Sequence, residues 1–362
     1  MTTPVRVLQV VRPALGGIRQ HVLNLVDGLD PAQVTLSVAA PPAFVREVMT
    51  HPGLLATIPL DIAARLSPAR DLLAARRLAR VLPQFAEVVH AHGARAAWIA
   101  ALAHRRRPFP LVFTAHNLIG RGLPSRLGIP FIGFHCARVL AVSPSVADSL
   151  AACGIPRAKI QVIPNGIDLG RFDPGGLDRA AARQSFAVPE NAFVVAAAAR
   201  LSQEKGMDTL LLAAGLRADM TFFIAGDGPL RSALARQTPL NTNLLGRLAD
   251  VRPLLAAADV FAVPSRREGQ GMAALEAMAV GIPLVAARVG GLADMLADGE
   301  TALLIPPDDP DALAAALSRL QSDARLRQKL AANALTLARD RYDLRPMLDA
   351  VTEVYRSVLE AP

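Results

Sequence analysis

The stretch PSRREGQGMAALEAMAVGIPLVAARVGG, residues 264–291, decides the fold. Its Arg- and Gly-rich beginning predicts a loop, and the Ala, Met and Leu residues that follow predict a helix. Glu268 precedes this helix and Glu276 lies within it, so the second carboxylate should lie roughly 6–10 Å along the axis from the first turn. Gly269 and Gly271 bare backbone N–H groups to an anion at the helix start. Two carboxylates around an anion site suit the hydroxyls and phosphates of a nucleotide-sugar.

Strands alternate with helices along the whole chain. Short apolar runs rich in β-branched residues are separated by Ala/Leu/Arg patterns of helical period. Continuous apolar strands between amphipathic helices predict parallel sheets that are covered on both faces. The predicted strands are 5–11, 34–39, 86–91, 110–114, 138–142 and 160–163 in the first half, and 192–198, 221–225, 243–245, 259–263, 283–286 and 302–305 in the second.

The alternation is interrupted once, at residues 165–190. This segment is rich in Gly, Asp and Pro and is predicted to connect two domains, for which 362 residues are enough. We therefore predict an α/β fold of two doubly wound parallel-sheet domains facing a cleft, with ligands at the carboxyl ends of the strands. The predicted domains are 1–168 and 169–341, followed by a helical segment at 342–362.

Composition limits the classes of function. Aromatic residues make up only 4% of the chain, which disfavours a lectin-like module that stacks on sugars. Cys136 and Cys153 have neither metal nor redox spacing, which favours a reducing cytoplasmic setting. The seven histidines form no zinc motif, and His90 and His92 are interpreted as packing residues at a strand end. The sequence shows no secretory signal and no apolar run of transmembrane length.

Positive charge is concentrated in the first half of the chain. Residues 1–168 contain 18 Lys/Arg and 8 Asp/Glu, a net charge of +10, whereas residues 169–362 contain 21 and 23, a net charge of −2. The segment 65–82 carries Arg65 and four further arginines beside an apolar stripe, and 121–134 adds cations and apolar groups. Such patterns are typical of membrane-surface helices, although ordinary surface helices look similar. We predict an anionic membrane surface as a partner and no nucleic acid, because no nucleic-acid motif is present.

Other polar residues directly follow predicted strands. Arg200 and Lys205 follow the strand 192–198, where a guanidinium fork and an ammonium can stabilise a diphosphate leaving group without a metal. Gly16 and Gly17 follow the first strand and let the backbone approach a phosphate, or form a simple tight turn. His116 ends a strand and would face the cleft, or be a capping or buried residue.

The ordered set of motifs resembles the retaining glycosyltransferase family 4, also called glycosyl transferases group 1, over nearly the whole chain. After Gly16-Gly17, the motifs are TAHN at 114–117, AVSPSVADSL at 141–150, IPNGIDLGRF at 163–172, ARLSQEKGMDTLL at 199–211, IAGDGPLR at 224–231, LLGRLADV at 244–251, ADVFAVPSRREG at 258–269 and DGETALLIPPDDP at 298–310. Gln270 stands where the family often has an aromatic residue.

The resemblance implies a GT-B fold of two Rossmann-like domains and a retaining, metal-independent hexosyltransferase without a cofactor. It implies transfer from a UDP- or GDP-sugar to an acceptor hydroxyl of a lipid-linked or envelope glycan, in lipopolysaccharide, exopolysaccharide or glycolipid synthesis. The expected location is cytoplasmic, peripheral on the inner face of the cytoplasmic membrane. The resemblance also implies that the helix at 342–362 crosses back to the N-terminal domain.

The resemblance carries roles onto individual residues. His116 would lie near the transferred sugar and donate to it, Glu268 would contact the same sugar, and Glu276 would accept from the ribose hydroxyls. Backbone groups around Arg247 and Leu248 would cover the base, and Asn165 would contact a substrate or brace the turn. The expected catalytic residues are His116, Arg200, Lys205 and Glu268, and the donor-binding set is Gly16, Gly17, Asn165, Arg200, Lys205, Arg247, Leu248, Glu268, Gly269, Gln270, Gly271, Met272 and Glu276.

Two other functions remain compatible with the sequence. A sugar-nucleotide epimerase of GT-B architecture would need acid/base groups in the cleft and would not depend on an acceptor. A non-catalytic sugar-nucleotide-binding protein would bind the donor without turnover. A two-carboxylate glycosidase is disfavoured, because Arg200 and Lys205 suit a phosphate leaving group that glycosidases lack.

Overall fold

The computed structural model describes residues 3–12, 16–63, 66–120, 122–189 and 191–360. The chain forms two compact units, one made of Met1–Asn165 with Leu344–Pro362 and the other of Gly166–Asp343. Each unit contains one parallel sheet. Arg65 and Arg121, both within the predicted basic segments, lie outside the described residues.

The strands form two sheets whose order reverses near the middle. In the first unit the order is β3-β2-β1-β4-β5-β6-β7, and in the second it is β10-β9-β8-β11-β12-β13. The strands are β1 (Val5–Val11), β2 (Val34–Ala40), β3 (Leu54–Pro59), β4 (Val88–His92), β5 (Leu111–Ala115), β6 (Arg138–Ala141), β7 (Ile160–Val162), β8 (Phe193–Ala198), β9 (Met220–Ala225), β10 (Thr242–Gly246), β11 (Val260–Val263), β12 (Leu284–Ala287) and β13 (Leu303–Ile305). All strand pairs are parallel. The prediction of two doubly wound parallel-sheet domains is confirmed.

The helices cover the sheet faces. They are α1 (Gly17–Gly28), α2 (Pro42–Val48), α3 (Pro68–Phe85), α4 (Ala94–His104), α5 (Leu123–His135), α6 (Pro144–Ala152), α7 (Arg179–Ser185), α8 (Met207–Gly215), α9 (Arg231–Ala235), α10 (Arg252–Ala257), α11 (Met272–Val280), α12 (Gly290–Met295), α13 (Pro310–Ser322), α14 (Ala324–Arg341) and α15 (Leu344–Glu360). None of the described helices is both long enough and apolar enough to span a bilayer.

Alternation along the strands sets the two cores of the first unit. Val7 and Val11 of β1 point to a core shared with α1, α2 and α15, whereas Leu8 and Val10 point to a core shared with α3 to α6. Helix α15 contributes a stripe at helical spacing that includes Leu348, Val351, Val354 and fully buried Tyr355. The C-terminal segment is therefore part of the first unit's core.

Two elements differ from the sequence prediction. The edge strand β3 was missed, because its short run LLATIP is only partly buried and ends in proline. The predicted connection 165–190 contains helix α7, which packs against α10 in the second unit. Asp178 caps α7, and Arg179 Nη2 binds Asp259 Oδ1 at 2.7 Å, so a Gly- and Pro-rich sequence is held in place by polar contacts.

Candidate active site

In the second unit, the candidate site lies at the carboxyl ends of β8 and β11. These strands are neighbours, and the strand order reverses between them, which is where ligands bind in doubly wound folds. Lys205, in the loop after β8, donates from Nζ to Oε2 of Glu268, in the loop after β11, at 2.6 Å. Ser265 Oγ donates to the same oxygen at 3.1 Å. The structure thus joins two predicted site residues in a single charged group whose Lys205 and Glu268 side chains are only 25% and 10% exposed.

Glycines allow the loops around this pair to touch through their backbones. Gly206 has φ +63°, and a Cβ there would lie 2.0 Å from the carbonyl oxygen of Pro264. A Cβ on Gly291 would lie 1.9 Å from the carbonyl oxygen of Gly269, and the N–H of Gly291 donates to Glu268 O at 3.1 Å. The position of Glu268 therefore depends on two glycines, Gly206 after β8 and Gly291 in the first turn of α12.

Arg266 clamps the loop after β8 onto the loop after β11, a role that sequence reasoning missed. Its Nη1 and Nη2 donate to the two carboxylate oxygens of Asp208 at 2.8 Å each, and Nη1 also donates to Gln203 O at 2.7 Å. A third carboxylate, that of Asp308, accepts from Nε. The hydrogen bonds from Arg266 hold the pKa of Asp208 below its usual range. The sequence shows only that Arg266 lies two residues before Glu268. Its partners Asp208 and Asp308 are distant in the sequence, and no local pattern indicates them.

The N-terminus of α11 adjoins the same loop. Its N-cap residue Gly271 has φ +94°, and no side chain among the described residues caps the helix. Gly269 and Gln270 are buried, and Met272 begins the helix half-buried. Free first-turn N–H groups and the positive end of the helix dipole favour an anion here.

Arg200 and Lys205 are the cations nearest in sequence to the carboxyl end of β8. Arg200 is exposed, and within the described ranges its guanidinium has no ion-pair or hydrogen-bond partner. The two cations predicted to bind phosphate therefore differ: Lys205 is held in place by Glu268, whereas the Arg200 guanidinium has no partner among the described residues.

Glu276 lies one turn into α11 and is partly buried. In the part of the chain that the structure describes, its carboxylate has no hydrogen-bond or salt-bridge partner. Burial raises its pKa to about 7, with Arg171 opposing and Asp250 adding to the shift. A partly desolvated acceptor without a donor is suited to ligand hydroxyls.

The turn after β10 was predicted to cover the base. Gly246 O accepts from Gly226 N at 2.7 Å, which joins the turns after β9 and β10. Arg247 is exposed, and Leu248 is half-buried against the core of the second unit.

In the first unit, the predicted phosphate turn opens α1. Gly16, the N-cap residue, has φ +73°, and no described side chain caps the helix. A Cβ added at Gly16 would meet no described atom within 4 Å, so this glycine is needed for its backbone conformation and not for a close contact among the described residues.

His116 belongs to a hydrogen-bonded chain at the carboxyl end of the first sheet. Its Nε2 lies 3.3 Å from His92 Nδ1, and His92 Nε2 lies 2.6 Å from Gln9 Oε1. Gln9 Nε2 donates to Tyr355 Oη at 3.0 Å, and Tyr355 Oη lies 2.7 Å from His90 Nδ1. His90 and His92 are fully buried, so the interpretation as packing residues is right about their burial and omits this network.

The direction of these bonds sets the tautomer of His116. An amide oxygen only accepts, so His92 donates from Nε2 to Gln9 and its Nδ1 accepts. His116 must then donate from Nε2, which leaves its Nδ1 able to accept a hydrogen bond, whereas the resemblance implied that His116 donates to the transferred sugar. Burial first, and neighbouring histidines and Arg12 next, hold the pKa of His116 well below its usual value, so the ring is neutral.

Asn165 lies at the same end of the first unit and is 5% exposed. Its side chain is close enough to His21 to oppose the effect of burial, which lowers the pKa of His21 to about 4. Asn165 is therefore placed against the histidines and within the body of the first unit.

Comparison with known sequences assigns the chain to a family. A family model described as Glycosyltransferase Family 4 matches residues 15–171, and one described as Glycosyl transferases group 1 matches residues 192–323. The D-inositol 3-phosphate glycosyltransferase of Actinosynnema mirum is 35% identical over 300 residues, 73% of this chain and 71% of that protein. The chain belongs to glycosyltransferase family 4. The protein of the same name from Kribbella flavida is 33% identical over 338 residues, 83% of this chain and 77% of that protein.

Solved structures of similar fold match the chain over nearly its whole length. Anabaena HepE, in complex with UDP and glucose, matches with a TM-score of 0.87 and 22% identity, over 98% of this chain and 100% of that one. WaaG, a glycosyltransferase involved in lipopolysaccharide biosynthesis, matches with a TM-score of 0.74 and 18% identity, over 96% of this chain and 99% of that one. The protein is a family 4 glycosyltransferase of GT-B fold.

Proposed function

We propose that this glycosyltransferase moves a sugar from a UDP- or GDP-sugar to an acceptor hydroxyl, with retention of anomeric configuration and without a metal or other cofactor. The observation that carries the proposal is the Lys205–Glu268 contact beside the uncapped N-terminus of α11. The Lys205 ammonium and the N–H groups at the start of α11 can bind a diphosphate, and the Glu268 carboxylate can accept hydrogen bonds from the hydroxyls of the attached sugar. The complexes of HepE with UDP and with UDP-glucose support uridine as the base.

The same groups account for the chemistry. When the glycosidic bond breaks, negative charge grows on the leaving diphosphate, and Arg200, Lys205 and the helix terminus stabilise it. Glu276 accepts from the ribose hydroxyls and so orients the donor. No side chain is assigned as a nucleophile. The leaving phosphate takes the proton from the acceptor hydroxyl on the face where it departs, and the configuration is thereby retained.

The acceptor is proposed to lie at an anionic membrane surface, the inner face of the cytoplasmic membrane. Helices α3 and α5 both pack against α4, and each exposes large apolar side chains. Leu73 on α3 is 62% exposed, and Leu127 and Phe134 on α5 are 69% and 80% exposed. On the same helix as Leu73, the side chains of Arg76, Arg77 and Arg80 are exposed. Cations with nearby apolar groups suit a lipid-linked acceptor in envelope glycan or glycolipid synthesis.

The relatives named D-inositol 3-phosphate glycosyltransferase favour a second class of acceptor, a small phosphorylated alcohol. Such an acceptor would itself be drawn to the positive first half of the chain.

A donor and acceptor panel tests the proposed activity. We expect one nucleoside-diphosphate sugar to stabilise the protein by about 2.7 kcal/mol at about 100 times its Kd, as measured by thermal shift. With that donor, transfer to an envelope lipid acceptor or to D-inositol 3-phosphate should give a product whose NMR coupling shows the donor's anomeric configuration, and EDTA should not lower the rate. An inverted product would contradict retention. Donor isomerisation without an acceptor would instead favour the epimerase, and binding without turnover a non-catalytic role.

Membrane docking is tested by charge reversal on α3. The triple variant Arg76→Glu, Arg77→Glu and Arg80→Glu should no longer bind anionic liposomes, because each cation near such a surface contributes about 1 kcal/mol to the free energy of binding. Donor binding should be unchanged. Cosedimentation measures the effect, and added salt should weaken binding by the wild-type protein. A matched triple reversal on the second unit is the control: Arg319→Glu, Arg325→Glu and Arg339→Glu. If wild-type protein ignores anionic liposomes at low salt, the basic face is only solvated and the small phosphorylated acceptor is favoured.

A further inference from the structure

Three buried histidines meet at the carboxyl end of the first sheet. His21 comes from α1, His92 ends β4, and His116 follows β5. One ring nitrogen of each lies within 4.8 Å of those of the other two. The rings are 2%, 0% and 8% exposed, respectively. They converge because the strand order reverses between β1 and β4, where α1 and the loop after β5 meet.

The spacing of the nitrogens suits a tetrahedral metal ion. Zinc binds imidazole at about 2.0–2.1 Å, which places two ligand nitrogens of a tetrahedron about 3.3 Å apart. His92 Nδ1 and His116 Nε2 are 3.3 Å apart. The ring centroid of His21 is 4.7 Å from that of His116 and 5.3 Å from that of His92. Among the described residues, both ring nitrogens of His21 are buried without a hydrogen bond of regular geometry, and Asn165 is the neighbouring polar side chain.

Neighbouring residues orient His92 for this role. Gln9 Oε1 accepts from His92 Nε2, and Tyr355 holds Gln9 in turn, so the lone pair of His92 Nδ1 faces the other two histidines. Metal-binding histidines are commonly fixed in this way, through a second ring nitrogen that donates to an oxygen. The Gln9 and Tyr355 part of this network stays unchanged when a metal binds, whereas the hydrogen bond from His116 Nε2 to His92 Nδ1 is replaced by metal coordination.

We propose that His21, His92 and His116 form a zinc-binding site in the first unit, separate from the cations that hold the donor phosphates. Three imidazoles suit zinc and not magnesium or calcium, which prefer oxygen.

Zinc at this site inhibits transfer. It occupies the Nε2 atom of His116 and moves that ring's proton to Nδ1, which changes the hydrogen bonding that His116 offers to the transferred sugar. It also places a double positive charge beside the proposed position of the transferred sugar. This consequence rests on the proposed function, whereas zinc binding does not.

The binding test uses the full chain without a polyhistidine tag, stripped with EDTA and titrated with Zn²⁺ against a chromophoric chelator. We expect one zinc per chain and, with Co²⁺ instead, the visible absorption of tetrahedral coordination. His21→Gln removes a ligand and should weaken binding at least about tenfold, since even residues that only orient metal ligands contribute 10- to 100-fold. His51→Gln, at a partly exposed histidine paired with Asp27, is the matched control and should bind like wild type.

Unfolding of His21→Gln in EDTA shows whether the variant folds, and His116→Gln replaces it if it does not. Zinc should inhibit transfer by the wild type, and His21→Gln should resist that inhibition. If the wild type binds no zinc, or if His21→Gln and His116→Gln bind it as tightly as the wild type, the proposal is overturned and the 3.3 Å contact is only a hydrogen bond between histidines. Binding is measured without donor or acceptor, so its failure is distinguishable from failure of the proposed transfer activity.

Discussion

Replacing Arg200 or Lys205 by Ala is expected to lower turnover on the order of 100-fold or more, while EDTA should not lower the wild-type rate. Each residue supplies a fixed positive charge where the leaving diphosphate becomes more negative, and losing one preoriented group of this kind costs about 10²- to 10³-fold. Steady-state kinetics with the best donor of the panel measures the effect. Full activity of the double variant Arg200→Ala/Lys205→Ala, or loss of wild-type activity on chelation alone, would contradict the proposed metal-independent mechanism.

Lys205 needs a stability control, because its removal leaves the Glu268 carboxylate only 10% exposed and without its cation. This should cost about 2 kcal/mol in the free energy of unfolding, less than for a fully buried pair because Lys205 is 25% exposed. The double variant Lys205→Ala/Glu268→Ala should recover most of that stability but not the turnover. Lys329→Ala, which breaks an exposed pair with Glu300, should change neither quantity appreciably. Recovery of turnover in the double variant would make the role of the Lys205–Glu268 pair purely structural.

Replacing Glu268 should mainly lower turnover, whereas replacing Glu276 should mainly weaken donor binding. Glu268→Ala removes the carboxylate proposed to touch the transferred sugar, so turnover should fall about 100-fold with a smaller change in donor affinity. Glu276→Ala removes hydrogen bonds to the ribose that persist through the reaction, so donor Kd should rise roughly 10- to 100-fold with a smaller change in turnover. Calorimetry of donor binding together with single-turnover rates separates the two effects. Equal losses of affinity in both variants, with turnover intact, would refute the assignment.

Glu276 also makes donor binding depend on pH. The ionised carboxylate accepts from the ribose hydroxyls, and its pKa is about 7, so donor affinity should fall as pH drops below 7, by at most tenfold per unit. Glu276→Gln should bind the donor more weakly and lose this dependence. The raised pKa also links the free energy of unfolding to pH. Neutral Glu276 contributes its full share of stability below pH 4.5, the ordinary pKa of a glutamate, and this contribution is lost as the pH rises through 7. Glu276→Gln should therefore raise the Tm at pH 8 and leave it unchanged near pH 4. A wild-type affinity that is flat between pH 6 and pH 8 would show that Glu276 does not contact the donor.

Local sequence patterns were sufficient for the architecture and for the chemical groups of the candidate site. Apolar runs alternating with helical patterns predicted two parallel sheets, because strand and helix periods are properties of a few consecutive residues. The placement of Glu268 before a helix and Glu276 within it followed from the same local rules. Edge strand β3 and helix α7 escaped prediction because partly exposed, proline-containing or short segments depend on neighbours that are distant in the sequence.

The sequence by itself determined that two sheets form and which charged residues follow their strands, because these depend on short-range periodicity and turn chemistry. Only the tertiary structure decided which of those residues meet. Lys205 reaches Glu268 across 63 residues, and Gln9 reaches Tyr355 across 346. The neutral histidines and the raised pKa of Glu276 also arise only on folding, since burial comes from packing between distant elements and no local pattern specifies it.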